Sequence, residues 1–216
     1  MILADRLIVL HATKTGERSL VLQCLSRRMG RRSFLVSPGS RTPQAFFLPL
    51  SLLDVEIIEN PHSDLWRIRS LAAESPLSGI RSNPAKNALT LFMSEVLFRL
   101  MRDGTGDAAF FDNCRKHILT LDSLEDNFAS FHLWFLLDLC RELGFAPGPE
   151  SIAPFAGERL QQLSALCGAD EASVLLYPLK GEDRSAIATV LLNYLGYHAE
   201  CHLELRSLAV LREIFA

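Results

Sequence analysis

The hydrophobic periodicity of this chain changes once, at Pro76, and that change constrains the fold more than any other feature. Upstream, apolar residues come in short runs separated by Gly, Pro and charged turns. Downstream they recur every three to four residues over long stretches. The chain therefore divides into a β-rich part, residues 1–76, and a helical part, residues 77–216, and 216 residues allow each a core of its own.

Five β-type runs cover residues 7–13, 19–26, 33–37, 52–59 and 65–74. They are separated by Lys14-Thr15-Gly16-Glu17, by Arg27-Arg28-Met29-Gly30-Arg31-Arg32, by a loop from Pro38-Gly39 through residues 41–49, and by Asn60-Pro61-His62-Ser63. Leu53, Val55 and Ile57 alternate with Asp54 and Glu56, as in a half-buried strand, and Trp66, Ile68 and Ser70 share one face of the last run. Five strands in so short a span predict a small barrel. An OB-type barrel is the five-stranded form used on nucleic acids, and an SH3-like barrel is its competitor.

In the second part Asn83 precedes Pro84 as a capping pair, and Leu89, Phe92, Met93, Val96, Leu97 and Leu100 follow at helical spacing until Gly104-Thr105-Gly106. Residues 107–121 form a second amphipathic helix. Residues 126–143 are apolar nearly all round, which predicts a central helix stopped by Gly144. Pro147, Pro149 and Pro154 make residues 145–155 an irregular crossing, and helices over 157–167, 183–195 and 205–215 complete the chain. The predicted class is α+β, an N-terminal five-stranded OB-type barrel followed by a C-terminal all-α domain.

A net charge of −3 argues at first against a nucleic-acid partner. Its distribution reverses the argument. Residues 1–75 carry 10 Lys+Arg and 7 Asp+Glu, and the remainder 12 and 18, so a +3 module is joined to a −6 scaffold. No secretory signal and no membrane span is legible, and Cys24, Cys114, Cys140, Cys167 and Cys201 are scattered with no CxxC. The expected setting is cytoplasmic, with no membrane partner and no disulfide framework.

No phosphate-binding glycine loop, dinucleotide fingerprint, zinc-protease helix or nucleophile elbow is present. His198 and His202, four residues apart beside Glu200 and Cys201, are the one metal-like pair, and no third ligand has an obvious source. His117 and His132 sit among aromatic core positions. The expectation is a protein with no catalytic residue, no cofactor and no metal.

Arg27, Arg28, Arg31 and Arg32 flank Gly30 between two strands, so they would project from a hairpin tip or barrel rim. A guanidinium is always charged and its planar fork bonds two phosphate oxygens. Lys14, Arg18 and Arg41 in or beside other turns extend the patch, and together these seven residues are the candidate DNA-binding set. Such a surface would bind with strong salt dependence and little sequence preference. The competing reading is a solvated hairpin whose charges serve solubility. Phe34, Phe46, Phe47 and Trp66 are the available aromatics, with Phe34 and Trp66 expected in the core.

The chain resembles the RecO family of bacterial recombination mediators. Ala4-Asp5-Arg6-Leu7-Ile8-Val9-Leu10-His11 followed by Thr15-Gly16-Glu17-Arg18-Ser19-Leu20-Val21 is similar to the family's first hairpin, and Met29-Gly30-Arg31-Arg32 to its Gly-Lys/Arg turn. Val36-Ser37-Pro38-Gly39-Ser40-Arg41 stands where the family has a Lys-Gly-Ala-Arg element. Residues 47–56, Leu143-Gly144-Phe145 and residues 205–213 complete the likeness.

The resemblance implies an OB fold and a helical domain. It also implies binding of single- and double-stranded DNA, strand annealing, and loading of recombinase onto DNA coated with single-strand-binding protein (SSB). The partners implied are RecR and the acidic C-terminal tail of SSB, with no covalent chemistry, in a cytoplasmic, nucleoid-associated protein. Three departures qualify it. Pro38 replaces the family's Lys, and Thr42-Pro43-Gln44 replaces the basic residues that follow it, which weakens phosphate contact there. The paired cysteines of zinc-binding members have no counterpart in residues 145–155. Trp134 stands where a basic residue is common, leaving Arg141, Arg115 or Lys116 to supply the cation of an SSB-tail pocket. The alternative function is an adaptor of the same fold that binds DNA weakly and works through RecR and SSB.

Overall fold

Five strands, β1 (Ile2–Lys14), β2 (Leu20–Ser26), β3 (Gly30–Val36), β4 (Leu52–Ile58) and β5 (Trp66–Ala73), close into a barrel in the order β1-β2-β3-β5-β4. The computed structural model describes residues 1–17, 19–104 and 106–215. β1 serves two neighbours, pairing antiparallel with β4 from Ile2↔Ile58 to Ile8↔Leu52 and with β2 from Leu7↔Ser26 to Lys14↔Leu20. A register shift between Val9 and His11 gives this long strand the bend that such double service needs. β3 closes on β5 through the parallel pairs Phe34↔Trp66 and Leu35↔Arg67. This is the OB-type arrangement, with a single 3-10 turn, Gln44–Phe47, between β3 and β4.

The interior is built from the inward residues of every strand, among them Leu7, Val9, Leu22, Phe34, Val55, Ile57 and Trp66. β1 begins five residues before the apolar run that predicted it. Asp5, only 8% exposed, is tolerated inside it because its carboxylate accepts from Ser26 Oγ at 2.5 Å and from the Arg6 N–H at 2.8 Å.

The helices are α1 (Ser78–Arg81), α2 (Pro84–Leu100), α3 (Ala108–Ser123), α4 (Phe131–Glu142), α5 (Pro149–Ala156), α6 (Leu160–Leu166), α7 (Glu171–Leu176), α8 (Gly181–His198) and α9 (Ser207–Ile214). The chain forms two compact units, Met1–Ser78 with Met101–Leu119, and Gly79–Leu100 with Thr120–Ala216. Most of α3 therefore belongs to the barrel unit. In the second unit α4 is the core, buried continuously from Phe131 to Leu137; it packs on α8, and α2 packs on α9.

Local signals act where the sequence places them. Asn83 Oδ1 accepts from the N–H groups of Ala85 (2.9 Å) and Lys86 (3.3 Å), ahead of Pro84 at the first helical position. Three of the differences from expectation in the helical part have a local cause. α4 starts at Phe131 instead of 126, since Asn127 adopts a φ of 54° that no helix continues through. The proline-rich crossing contains α5, because Pro149 opens it and Pro154 removes only one bond from an eight-residue helix. α7 is an added helix, capped by Asp170, which accepts from the Ser173 N–H at 2.9 Å. Among the described residues no helix is long and apolar enough to cross a membrane.

Candidate nucleic-acid interface

The arginine turn joining β2 to β3 does not project freely; it is braced on both sides. Ser26 Oγ accepts from the Met29 N–H at 2.9 Å while donating to Asp5, which sets the turn. Arg27 donates from Nε to Asp112 Oδ1 (2.9 Å) and from Nη2 to Oδ2 (2.7 Å), a two-armed pair with the start of α3, and Arg6 adds a second cation 3.6 Å from the same carboxylate. The bonds from Arg27 hold the Asp112 carboxyl below its ordinary range, against a smaller opposing effect of burial. Arg31 Nε donates to Asp103 Oδ1 at 2.8 Å, and the Asp103 backbone bridges to Gly30 and Arg31. Gly106 lies so close to the turn that a Cβ there would collide with the Arg28 carbonyl and the Met29 nitrogen. Both acids and Gly106 belong to the barrel unit.

The other two arginines differ from these and from each other. Arg28 is exposed, with Nη1 donating to the Ala4 carbonyl at 3.3 Å. Arg32 turns inward, its guanidinium 3.8 Å from the centre of the Trp66 ring and its Nε buried without a hydrogen-bond partner. Trp66 is itself fixed by Nε1 donating to the Asn60 carbonyl at 3.0 Å.

Lys14 and Arg41 are exposed, with no ion-pair partner among the described residues, and Arg18 lies outside those residues. Lys14 lines a groove of about 670 Å³ with Ser19, Ser40, Thr42, Phe47 and Leu48, and Pro38, where the family's Lys would stand, is part of its wall. Arg41 lines a smaller groove of about 370 Å³ with Phe46 and Leu71. Phe46 and Phe47 are half-buried against the barrel core, so their rings are only partly free for base stacking.

The strand register brings out cations that a reading centred on basic turns misses. Thr13, Val21, Leu35 and Arg67 form one row across β1, β2, β3 and β5, and His11, Gln23 and Ser33 form the next. Arg67 and Arg69 are exposed on this outer side, with Arg69 Nη1 4.0 Å from Glu56. Their alternation with buried Trp66 and Ile68 is legible in the sequence, but only as outward strand positions and not as a basic turn. OB-type barrels receive nucleic acid on the β2–β3 side and its flanking loops. The geometry thus gathers Lys14, Arg41 and Arg67 around that side, with Arg28 and Arg31 at the hairpin tip.

The four partner candidates are divided between the two units. Trp134 (9% exposed) and Arg141 meet on α4, the guanidinium 5.2 Å from the indole centre; Arg141 also donates to the Ala169 carbonyl at 3.0 Å. Arg115 and Lys116 lie on α3 in the barrel unit, where Arg115 is paired with Glu74 and Lys116 is exposed. The His198–His202 pair is split, with His198 stacked on Phe145 at 5.3 Å and His202 3.7 Å from Glu204. Among the described residues no three His, Cys, Asp or Glu side chains are grouped to hold a metal.

Comparison with known proteins adds what geometry alone does not. The family model described as "Recombination protein O C terminal" matches residues 81–153. The DNA repair protein RecO of Bacteroides fragilis is 31% identical over 234 aligned residues, which cover 96% of this chain and 97% of the relative. The chain belongs to the RecO family. RecO proteins of Phocaeicola vulgatus (28% identical, 97% of both chains) and Flavobacterium psychrophilum (26%, 100% of both) are similar along the same length. RecO membership carries a role in DNA repair and recombination.

Proposed function

We propose that this protein is a recombination mediator whose barrel binds single- and double-stranded DNA, anneals complementary strands and helps load recombinase onto SSB-coated DNA. The observation that carries this reading is the set of exposed cations Lys14, Arg41 and Arg67 bordering the β2–β3 side of an OB-type barrel. Arg28, Arg31 and the outward polar residues His11, Gln23 and Ser33 extend the surface. Arg27 and Arg32 support it from beneath, one fixed to Asp112 and the other stacked on Trp66.

In this reading residues 1–76 take the DNA, and residues 77–216 take RecR and the SSB tail, with Trp134 and Arg141 as the candidate contact and Arg115 and Lys116 as secondary ones. The protein works in the cytoplasm at the nucleoid, without catalysing a covalent step. A second reading, an adaptor that binds DNA weakly and acts through RecR and SSB, is favoured by the neutralisation of Arg27 and Arg31 by Asp112 and Asp103. Titration of a labelled single-stranded oligonucleotide over a range of salt, with and without an SSB-tail peptide, separates the two. Tight binding that weakens steeply with salt supports the mediator; peptide binding with only weak DNA affinity even at low salt supports the adaptor.

A further inference from the structure

Arg27 and Arg31 are each paired with a carboxylate, Asp112 on α3 and Asp103 just before it, but the two pairs are built differently. Asp112 is gripped by both arms of Arg27, has Arg6 at 3.6 Å, and stands on a helix. Asp103 precedes the helix, its side chain is 76% exposed, and its contact with Arg31 runs from Nε to one carboxylate oxygen. What holds Asp103 beside the turn is its backbone, which bridges to Gly30 and Arg31, with Gly106 pressed against Arg28 and Met29 further along. The carboxylate can therefore swing away while the segment stays in place. Arg28 and Arg102, both exposed, flank the same turn.

We propose that Asp103 is a built-in phosphate stand-in. It occupies the Arg31 guanidinium while the protein is free of DNA, and a nucleic-acid phosphate displaces it on binding. This deepens, and rests on, the DNA-binding reading above. A solvent-exposed carboxylate–guanidinium pair is a weak bond that salt screens. A backbone phosphate offers the same planar fork a competing anion and adds the gain from released counterions. Asp103 thus lowers affinity for DNA uniformly, whatever its sequence, and disfavours binding of isolated small anions at the turn.

The test is fluorescence anisotropy with a labelled single-stranded oligonucleotide and the full-length chain, comparing wild type with Asp103→Asn across a salt series. Affinity should rise about two- to five-fold at low salt, the range spanned by an exposed ion pair. The gain should shrink as salt rises, because salt screens the Asp103–Arg31 pair while the number of phosphates contacted in the complex stays the same. The double variant Asp103→Asn/Arg31→Ala should lose the gain. Glu125→Gln, the same change in net charge in the second unit, should show none of it. If wild type binds DNA and Asp103→Asn binds with unchanged affinity and slope, or if Glu125→Gln reproduces the gain, the stand-in is overturned and the DNA-binding reading survives. If neither wild type nor Asp103→Asn binds at low salt, the DNA-binding reading itself fails. Circular dichroism of each variant shows that the comparison is between folded proteins.

Discussion

Arg27 and Asp112, 85 positions apart, meet fork to fork at 2.7 and 2.9 Å, and through that contact the tip of the β2–β3 hairpin is tied to α3. The pair changes what the arginine-rich turn can be. One of its four guanidiniums is a fastener, and the helix that it fastens belongs to the barrel unit although it follows α2 in the chain.

A double-mutant cycle measures that fastener. Arg27→Ala and Asp112→Ala should each lower the thermal midpoint, and the double variant should lie close to the single variants instead of at their sum, because either change alone breaks the pair. The contribution should also depend on pH. Arg27 holds the folded Asp112 carboxyl below its ordinary value, so the stabilisation is complete above that value and fades as pH falls through the lowered one. Asp112→Asn should remove this part of the acid sensitivity.

Glu95 on α2 caps α9 from outside, accepting from the N–H groups of Arg206 (3.2 Å) and Ser207 (2.9 Å) and from Ser207 Oγ (2.5 Å). Burial pushes its carboxyl up, but the bonds from Ser207 and Arg206 outweigh that and hold it below its usual value. Glu95→Ala should cost about 1 kcal/mol in urea unfolding, the worth of a helix cap. The difference from wild type should shrink as pH falls below the ordinary glutamate range, where the wild-type carboxylate is lost as well.

His132 is buried between Phe92 and Phe215, and burial, aided by the nearby Arg184 charge, lowers its pKa from 6.5 to about 3. The folded protein keeps this ring neutral while the unfolded chain protonates it, so stability is full above pH 6.5 and declines as pH falls from there towards 3. His132→Phe, which keeps the ring in its aromatic slot, should flatten that part of the stability–pH curve. Chemical denaturation at a series of pH values reads it out directly, and equal slopes for the two proteins would assign the acid sensitivity elsewhere.

Most of the architecture was legible, for reasons that individual residues illustrate. Alternation of Leu53, Val55 and Ile57 against Asp54 and Glu56 placed β4, and Asn83 with Pro84 placed the start of α2, because each rests on local periodicity or capping. What was hidden depends on residues distant in sequence. Nothing near Asp103 or Asp112 announces that it will meet Arg31 or Arg27, since the meeting requires α3 to lie against a hairpin formed some 80 residues earlier. Arg67 was hidden differently. Its outward position follows from the alternation around Trp66, but its place beside Leu35 depends on the parallel closure of β3 on β5, which no single strand encodes. Trp134 and Arg141 come together because seven residues are two helical turns, whereas Arg115 and Lys116 lie on α3 in the barrel unit.

The central claim is that the β2–β3 side of the barrel, bordered by Lys14, Arg41 and Arg67, carries the DNA, and the salt dependence of binding tests it most directly. In anisotropy titrations with single-stranded DNA, the triple variant Lys14→Ala/Arg41→Ala/Arg67→Ala should bind more weakly than wild type. Its log affinity should fall less steeply with log salt, by about 0.7 for each phosphate that is no longer neutralised, or about 2 in all. A folded triple variant with the wild-type affinity and slope would contradict the account and move the DNA to another surface.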